Sequence, residues 1–298
     1  MIEARDPSAE SNRLWRAGSR EIRLDRPIVI GILNVTPDSF SDGGNFFALD
    51  AAVSHAARML GDGADIIDIG GESTRPGAAG VRETEESRRV APVVRAIREA
   101  WPDVPISIDT TKATVAAEAI DAGADIVNDV SAMRFDYEMP AVVAQSGSGV
   151  ILMHSRGSLE EMATYAHAVY LPDVTGEVIG QLQERILVAE DSGIPRGRIC
   201  IDPGFGFSKT GDHSRKVLRE LDRIVALGFP VVAGPSRKRF VSERADGKDV
   251  TLEDRDAGTV AACVMALERG AMLFRVHNVR AARRALDVAW EALHVTTG

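Results

Sequence analysis

Short apolar runs recur along the chain, and each is followed by a turn and then by a stretch with helical spacing. Each run leads into a polar or charged residue or a glycine. In order, the runs are IVIGIL before Asn34, ADIIDI before Gly70, VPISI before Asp109, ADIV before Asn128, GVILM before His154, RICI before Asp202, PVVA before Gly234 and MLF before Arg275. This layout predicts eight parallel strands whose end residues lie at one mouth of a barrel.

The segments between the runs have apolar residues near helical spacing, which predicts helices over 48–62, 84–100, 112–122, 137–146, 173–192, 212–227, 254–269 and 279–293. Alternating strands and helices leave an open doubly wound sheet or a closed barrel as the main choices, and the count of eight favours closure. A dinucleotide-binding sheet would carry a glycine-rich fingerprint after its first strand, where NVTPD stands instead. We predict a single (β/α)8 TIM barrel over residues 26–298, preceded by an N-terminal extension over 1–25.

Composition supports one large domain, because 298 residues with 45% hydrophobic content can bury a single core. The formal net charge of −9 disfavours nucleic acid and anionic membrane as partners. Residues 1–25 lack the apolar core of a signal peptide and no apolar stretch is long enough to span a membrane, so we expect a cytoplasmic protein. Cys200 and Cys263 lie in apolar or helical patterns and are expected to be buried thiols rather than disulfide or zinc ligands.

Two connections, 35–47 and 70–82, are longer and richer in turn residues than the others. Loops at this face of a barrel commonly close over the substrate, and Phe40 and Arg75 are unusual side chains for a passive loop. We interpret both connections as lids, with plain surface loops as the alternative.

Cations concentrate after the last two strands, in GPSRKR at 234–239 and RVHN at 275–278. Loops in these positions form the usual phosphate site of this fold, and Arg, Lys and His side chains suit phosphate or diphosphate. The alternative is that some of these cations, Arg239 above all, are solvated or paired with surface carboxylates.

Opposite these cations, Asp109, Asn128 and Asp202 each follow an apolar run that places them at the floor of the mouth. A heterocycle with an amino group and a ring N–H would satisfy such groups. Pairing with Lys238, helix capping and binding of a divalent metal ion remain alternatives. Asp68 is expected to face the interior or pair with a neighbour, and His154 is expected to be a hydrogen-bonded structural group.

Taken together, these motifs resemble dihydropteroate synthase, a family of pterin-binding barrel enzymes. The resemblance runs from about Pro27 to Leu293. It is carried by GILNVTPDSFSDGG (31–44), DIGGESTRPGA (68–78), SIDTTK (107–112), NDVSA (128–132), LMH (152–154), DPGFGF (202–207), GPSRKRF (234–240) and RVHNV (275–279).

The resemblance implies a site residue by residue. Asp109, Asn128, Asp202 and Lys238 would bind the pterin, Asn34, Thr74, Arg75, Arg275 and His277 would bind the diphosphate, and Phe40, Pro76, Phe207, Ser236 and Lys238 would bind 4-aminobenzoate. Met153 is a further candidate for the pterin from its place at a strand end, where it could pack against a flat ring, with core packing as the alternative. Asn34 would also be the protein ligand of Mg²⁺, and the catalytic roles would fall to Lys238, Asp109, Arg275 and His277.

The implied reaction condenses (7,8-dihydropterin-6-yl)methyl diphosphate with 4-aminobenzoate, giving 7,8-dihydropteroate and diphosphate. The family resemblance also implies a homodimer that acts on small molecules. Asn278 stands where many members have Asp, and Arg239 where many have a small residue. Three alternatives remain open: a methyltetrahydrofolate-dependent methyltransferase, which should not need the cation site, a non-catalytic pterin-binding paralogue, and a Schiff-base aldolase using Lys238.

Overall fold

The structure is a computed structural model that describes residues 14–35, 45–72, 80–242 and 250–295, with the backbone alone for 45–48. Ten strands occur in this part of the chain. They are β1 (Leu14–Ala17), β2 (Arg20–Arg23), β3 (Ile28–Asn34), β4 (Ile66–Gly70), β5 (Ile106–Asp109), β6 (Ile126–Asp129), β7 (Gly149–Met153), β8 (Ile199–Asp202), β9 (Val232–Ala233) and β10 (Leu273–Val276).

Strands β3 to β10 form one parallel sheet in the order β8-β7-β6-β5-β4-β3-β10-β9. A parallel bridge between Ile201 and Val231 joins β8 to the start of β9 and brings the two edges together. The predicted (β/α)8 barrel is therefore confirmed.

The helices of the described residues surround this barrel. They are α1 (Asn45–Gly61), α2 (Glu83–Ala100), α3 (Ala113–Asp121), α4 (Met139–Ser146), α5 (Val174–Asp191), α6 (Gly211–Arg219), α7 (Leu221–Val225), α8 (Leu252–Glu268) and α9 (Val279–His294). Two predictions were wrong in detail. The stretch 212–227 is broken at Glu220, whose φ of −107° and ψ of 23° are not helical, and α1 already begins at Asn45, inside the predicted loop 35–47.

A hairpin precedes the barrel, formed by β1 and β2 pairing antiparallel. Trp15 and Ala17 are fully buried in a cluster with barrel residues such as Ile66 and Leu273. The Trp15 indole donates a hydrogen bond to the Arg198 carbonyl at 2.9 Å, just before β8. The hairpin therefore closes the amino-terminal end of the barrel and leaves the opposite mouth as the open face.

The register of the parallel strands brings polar end residues into one row. Gly70 lies beside both Asn34 and Asp109, and Asp109 lies beside Asn128. Side chains of neighbouring parallel strands at the same level point the same way. The mouth therefore brings together polar side chains from distant parts of the chain. Among the described residues, no helix has the length and apolar character needed to cross a membrane.

Candidate active site

The centre of the mouth is an ionic cluster around Arg275. Its Nε donates to Asp68 Oδ2 and its Nη2 donates to Asp109 Oδ2, both at 2.6 Å. Asn128 Nδ2 donates to the same Asp68 oxygen at 3.3 Å. Asp68 is fully buried, and its second oxygen has no hydrogen-bond partner among the described residues. Two carboxylates thus share one guanidinium, and one buried acceptor is left unsatisfied.

This crowding changes the proton affinity of the cluster. Burial raises the pKa of Asp109 to about 7, with Asp68 adding to the rise and Arg275 opposing it. Burial acts against the charge of Arg275, but the two neighbouring carboxylates outweigh it and raise its pKa. Asp109 can therefore change its charge near neutral pH while Arg275 stays cationic, a property that is typical of functional sites.

A second part of the floor is formed by Asp202 and Lys238. Asp202 Oδ1 accepts a hydrogen bond of 2.6 Å from the Gly204 N–H, and burial raises the pKa of this carboxyl group to about 6. Burial and the nearby Arg275 lower the pKa of Lys238 to about 7. The Lys238 Nζ lies 3.4 Å from the centroid of the Phe207 ring. The aromatic face partly replaces water around this ammonium group.

Ser236 and His277 connect the loop after β9 to the end of β10. The His277 N–H donates to Ser236 Oγ at 3.0 Å, and Ser236 Oγ lies 2.8 Å from His277 Nδ1. A hydroxyl oxygen can accept two hydrogen bonds and donate one, so this pair of contacts holds the His277 ring beside Ser236 with either atom as the donor. This arrangement fixes the imidazole of His277 at the end of β10.

The other arginines of the cation motif have different surroundings. Arg237 has a φ of 56° and forms a bidentate ion pair with Asp256, at 2.7 and 3.0 Å. Asn278 Nδ2 donates to Asp256 at 2.9 Å, and its Oδ1 caps α9 by accepting from the Ala281 N–H. Arg239 is exposed and stacks over Tyr165, with Cζ 4.8 Å from the ring centroid. The predicted cation group is therefore divided between the floor and the rim.

Apolar contacts and a buried polar network line the side of the mouth. Met153 packs in a small cluster with Val130, Met162 and Phe207. His154 is buried, with Nε2 2.9 Å from Gln181 Oε1 and Nδ1 2.8 Å from Lys209 Nζ. Lys209 was not among the predicted residues, since nothing in its local pattern distinguishes it from a surface lysine.

The oxygen donors around Asn34 decide whether this part of the mouth fits a magnesium ion. Asn34 Oδ1 and Asp109 Oδ2 lie on either side of Gly70. They are 3.9 and 3.8 Å from the point that a Cβ on this glycine would occupy. The described residues contain no group of three His, Cys, Asp or Glu side chains that could hold a metal ion. Hard oxygen donors of this kind fit Mg²⁺ when substrate phosphates supply most of its ligands.

The structure brings together most of the predicted site residues at one mouth. They are Asn34 (β3), Asp109 (β5), Asn128 (β6), Met153 (β7), Asp202 (β8), Phe207 after β8, Ser236 and Lys238 after β9, and Arg275 and His277 at β10. Four further predictions, Phe40, Thr74, Arg75 and Pro76, lie outside the described residues. Asp68, which the sequence left without a role, lies at the centre of the cluster.

Comparison with known proteins identifies relatives. The profile of the family described as "Pterin binding enzyme" matches residues 30–277. A dihydropteroate synthase of Synechocystis is 44% identical over 268 residues, which is 89% of each chain. A Xanthomonas albilineans dihydropteroate synthase solved with 4-aminobenzoic acid has a TM-score of 0.86 and 44% identity, and the match covers 96% of this chain and 100% of that one.

A second structure of the Xanthomonas albilineans enzyme, solved in complex with 7,8-dihydropteroate, has a TM-score of 0.83 and 42% identity. That match covers 95% of this chain and 100% of the other.

Proposed function

The chain belongs to the pterin-binding enzymes and, within them, to the dihydropteroate synthases, and we infer from this that it condenses (7,8-dihydropterin-6-yl)methyl diphosphate with 4-aminobenzoate. The bond between the pterin methylene carbon and the diphosphate oxygen breaks, and a bond from the same carbon to the amine nitrogen forms. The amine loses one proton. The products are 7,8-dihydropteroate and diphosphate.

The observation that carries this proposal is the convergence of Asp109, Asp202, Lys238 and Arg275 at one mouth. We assign the pterin to this floor, with Asn128 and Met153 beside it. Carboxylates can accept paired hydrogen bonds from a ring N–H and an amino group, and the amide of Asn128 can donate and accept. A ligand with these donors would also satisfy acceptors that the protein leaves crowded around Arg275.

Departure of the diphosphate needs positive charge where negative charge develops. Arg275 uses Nε and Nη2 for its carboxylate partners, so its remaining N–H groups can reach the leaving group. We assign the His277 imidazole to the diphosphate as well, by family resemblance. Preorganised donors of this type lower a barrier by roughly 3 kcal/mol each.

The nucleophile needs position rather than activation, because an aromatic amine is neutral and nucleophilic at physiological pH. We assign Phe207, Ser236 and Lys238 to the 4-aminobenzoate pocket. The Phe207 ring is nearly buried and Ser236 is fixed by His277, so both can orient the incoming ring. Phe40 and Pro76 remain assigned to this pocket, and Thr74 and Arg75 to the diphosphate, by family resemblance alone.

We also propose Mg²⁺ as the metal partner of the diphosphate, with the side-chain amide oxygen Oδ1 of Asn34 as its protein ligand. The ion would supply extra positive charge to the diphosphate oxygens when bound. Removal of divalent metal with a chelator should abolish diphosphate release, and Mg²⁺ should restore it. Release that continues at full rate in the chelator contradicts this part of the proposal.

The decisive experiment measures diphosphate release from the pterin substrate with and without 4-aminobenzoate. We expect amine-dependent release accompanied by equimolar 7,8-dihydropteroate. Lys238→Ala should lose this activity while remaining folded. Lys216→Ala is the matched control, because the Lys216 ammonium group donates to the Pro172 carbonyl at 2.7 Å on the outer surface. Absence of amine-dependent product from the unaltered protein refutes the assignment.

A homodimer and a cytoplasmic location complete the proposal. Both rest on the family, and sedimentation of the purified protein and fractionation of the producing cells test them separately. A monomer at micromolar concentration contradicts the first, and recovery with the membrane fraction contradicts the second.

A further inference from the structure

Lys209 is a buried lysine that forms no direct ion pair with a carboxylate of the described residues, although the charge of Asp202 acts on it and burial lowers its pKa well below the usual range. Its side chain is 1% exposed, and its three N–H donors are matched by His154 Nδ1 at 2.8 Å and the carbonyls of Gly204 and Phe207 at 3.1 and 3.2 Å. Burial of an ammonium group is costly unless each donor is satisfied. Because Lys209 bonds all three groups, it also restricts the positions of the His154 ring and of the Gly204 and Phe207 carbonyls.

The hydrogen-bond pattern also fixes the state of His154. Gln181 Oε1 accepts from Arg156 Nε at 3.1 Å and lies 2.9 Å from His154 Nε2. The arginine can only donate, so the Gln181 atom is the oxygen and His154 Nε2 carries the proton. His154 Nδ1 therefore presents a lone pair to Lys209, and burial together with Lys209 holds the pKa of His154 well below its usual range.

The segment that Lys209 holds has an unusual backbone. Gly204, Gly206 and Ser208 all have positive φ, at 67°, 72° and 50°. A Cβ on Gly204 would overlap the His154 carbonyl oxygen, and one on Gly206 would lie 3.1 Å from Lys238 Cδ. The turn at 204–208 thus packs directly against the stem of Lys238 and needs external contacts to keep its shape.

We propose that Lys209 and His154 form a positioning pair that holds the turn 204–208 and thereby sets the Phe207 ring against Lys238. Neither residue contacts the reacting atoms. The link is direct, because the Phe207 carbonyl accepts from Lys209 while the Phe207 ring lies against Lys238 Nζ. This inference rests on the proposed function, since it explains how the 4-aminobenzoate pocket is kept in shape.

The kinetic test compares Lys209→Met with Lys216→Met, a lysine on the neighbouring helix that bonds a single backbone carbonyl. Lys209→Met should raise the KM for 4-aminobenzoate about tenfold and that for the pterin diphosphate by less, because Asp109 and Asn128 lie on strands that Lys209 does not contact. Lys216→Met should leave both within twofold. A lower melting temperature with both KM values unchanged would show a purely structural lysine and overturn the proposal.

A second pair of variants applies even where Lys209→Met fails to fold. His154→Leu removes the acceptor of Lys209, whereas His154→Gln retains an acceptor oxygen. We expect a three- to fivefold rise in the KM for 4-aminobenzoate with leucine and recovery to within twofold with glutamine. Equal values for the two variants would overturn the positioning role.

A readout independent of turnover separates this inference from the proposed function. The pKa of Lys238, followed by NMR in protein with labelled lysines, should rise by at least one unit in His154→Leu as water reaches the displaced ammonium group, and should stay unchanged in His154→Gln. An unaltered pKa in both variants overturns the inference. If the unaltered protein lacks turnover but the pKa of Lys238 still rises in His154→Leu, only the assigned reaction is contradicted.

Discussion

The barrel has a buried ionic cluster at each end, and the two differ in how well they are satisfied. At the closed end, Asp125 accepts from Arg20 Nε at 2.9 Å, Arg98 Nη2 at 2.5 Å and the Ile106 N–H at 3.0 Å. Both arginines also bond backbone carbonyls, among them those of Pro102 and Gly123. One carboxylate there is surrounded by donors.

At the open mouth the balance is reversed. Asp68 and Asp109 share one guanidinium, an oxygen of Asp68 has no partner among the described residues, and Lys238 lies against an aromatic ring. A cluster whose groups are all paired stabilises the fold, whereas one with acceptors in excess is prepared for a ligand that brings donors. The contrast predicts opposite results when each cluster is altered.

The largest effect is expected from Asp109→Asn at the mouth. The amide keeps the shape of the side chain but removes the charge that faces the pterin and Arg275, so kcat/KM should fall about 10²–10³-fold. The free energy of unfolding, measured with urea at pH 7, should stay within about 1 kcal/mol of the unaltered protein or rise, because one crowded carboxylate is lost. A large loss of stability with normal turnover would mean that the cluster at the mouth stabilises the fold instead of serving the reaction.

Asp125→Asn at the closed end should give the opposite result. Two arginines lose their shared carboxylate, and we expect the free energy of unfolding to fall by about 2 kcal/mol. Because the cluster lies at the far end of the barrel, kcat/KM should remain within twofold when assayed below the unfolding transition. Loss of activity in a fully folded variant would contradict this separation of roles.

The pH dependence of stability sharpens the same contrast. The pKa of Asp109 is raised to about 7 in the folded protein, so the folded state binds the extra proton and gains stability below that pH. Relative to Asp109→Asn, the unaltered protein should therefore lose stability as the pH rises from about 4 to about 7, by about 1.4 kcal/mol per unit of pKa shift. Urea titrations of both proteins at several pH values measure this, and parallel curves would refute it.

The smallest effect is expected at the rim, where Arg237, Asp256 and Asn278 are paired although they lie at the open end. Asn278→Asp keeps the helix cap but places a second carboxylate next to Asp256, so we expect the free energy of unfolding to fall by about 1 kcal/mol. Turnover should change less than threefold. A tenfold change in kcat/KM would contradict the comparison, because it would mean that a cluster affects turnover whenever it lies at the mouth, even when all its groups are paired.

Much of the mouth could be predicted because parallel strands deliver their last residues to one face. Asp109, Asn128 and Asp202 follow uninterrupted apolar runs, so their place in the barrel followed from strand periodicity alone. The site roles still depended on family motifs, and they stay predictions.

Other features had no local signal. The hairpin strands are four residues each and carry charged residues, and their packing partners lie far along the chain. The pairing of Asp68 with Arg275 joins residues 207 positions apart, which no helical or strand period encodes. The network of Lys209 likewise depends on a turn whose left-handed residues include a serine as well as glycines.

The hairpin at the closed end gives the chain a particular order of assembly. Trp15 bonds the Arg198 carbonyl, 183 positions away, and the Gly18 carbonyl accepts from the Arg198 side chain at 3.1 Å. A ribosome adds about 5–20 residues each second, so residues 14–23 wait on the order of ten seconds or more before that contact exists. During this interval Trp15 lacks the hydrogen-bond partner that it has in the folded barrel, and the hairpin can complete its contact with residue 198 only after β3 to β7 have been made.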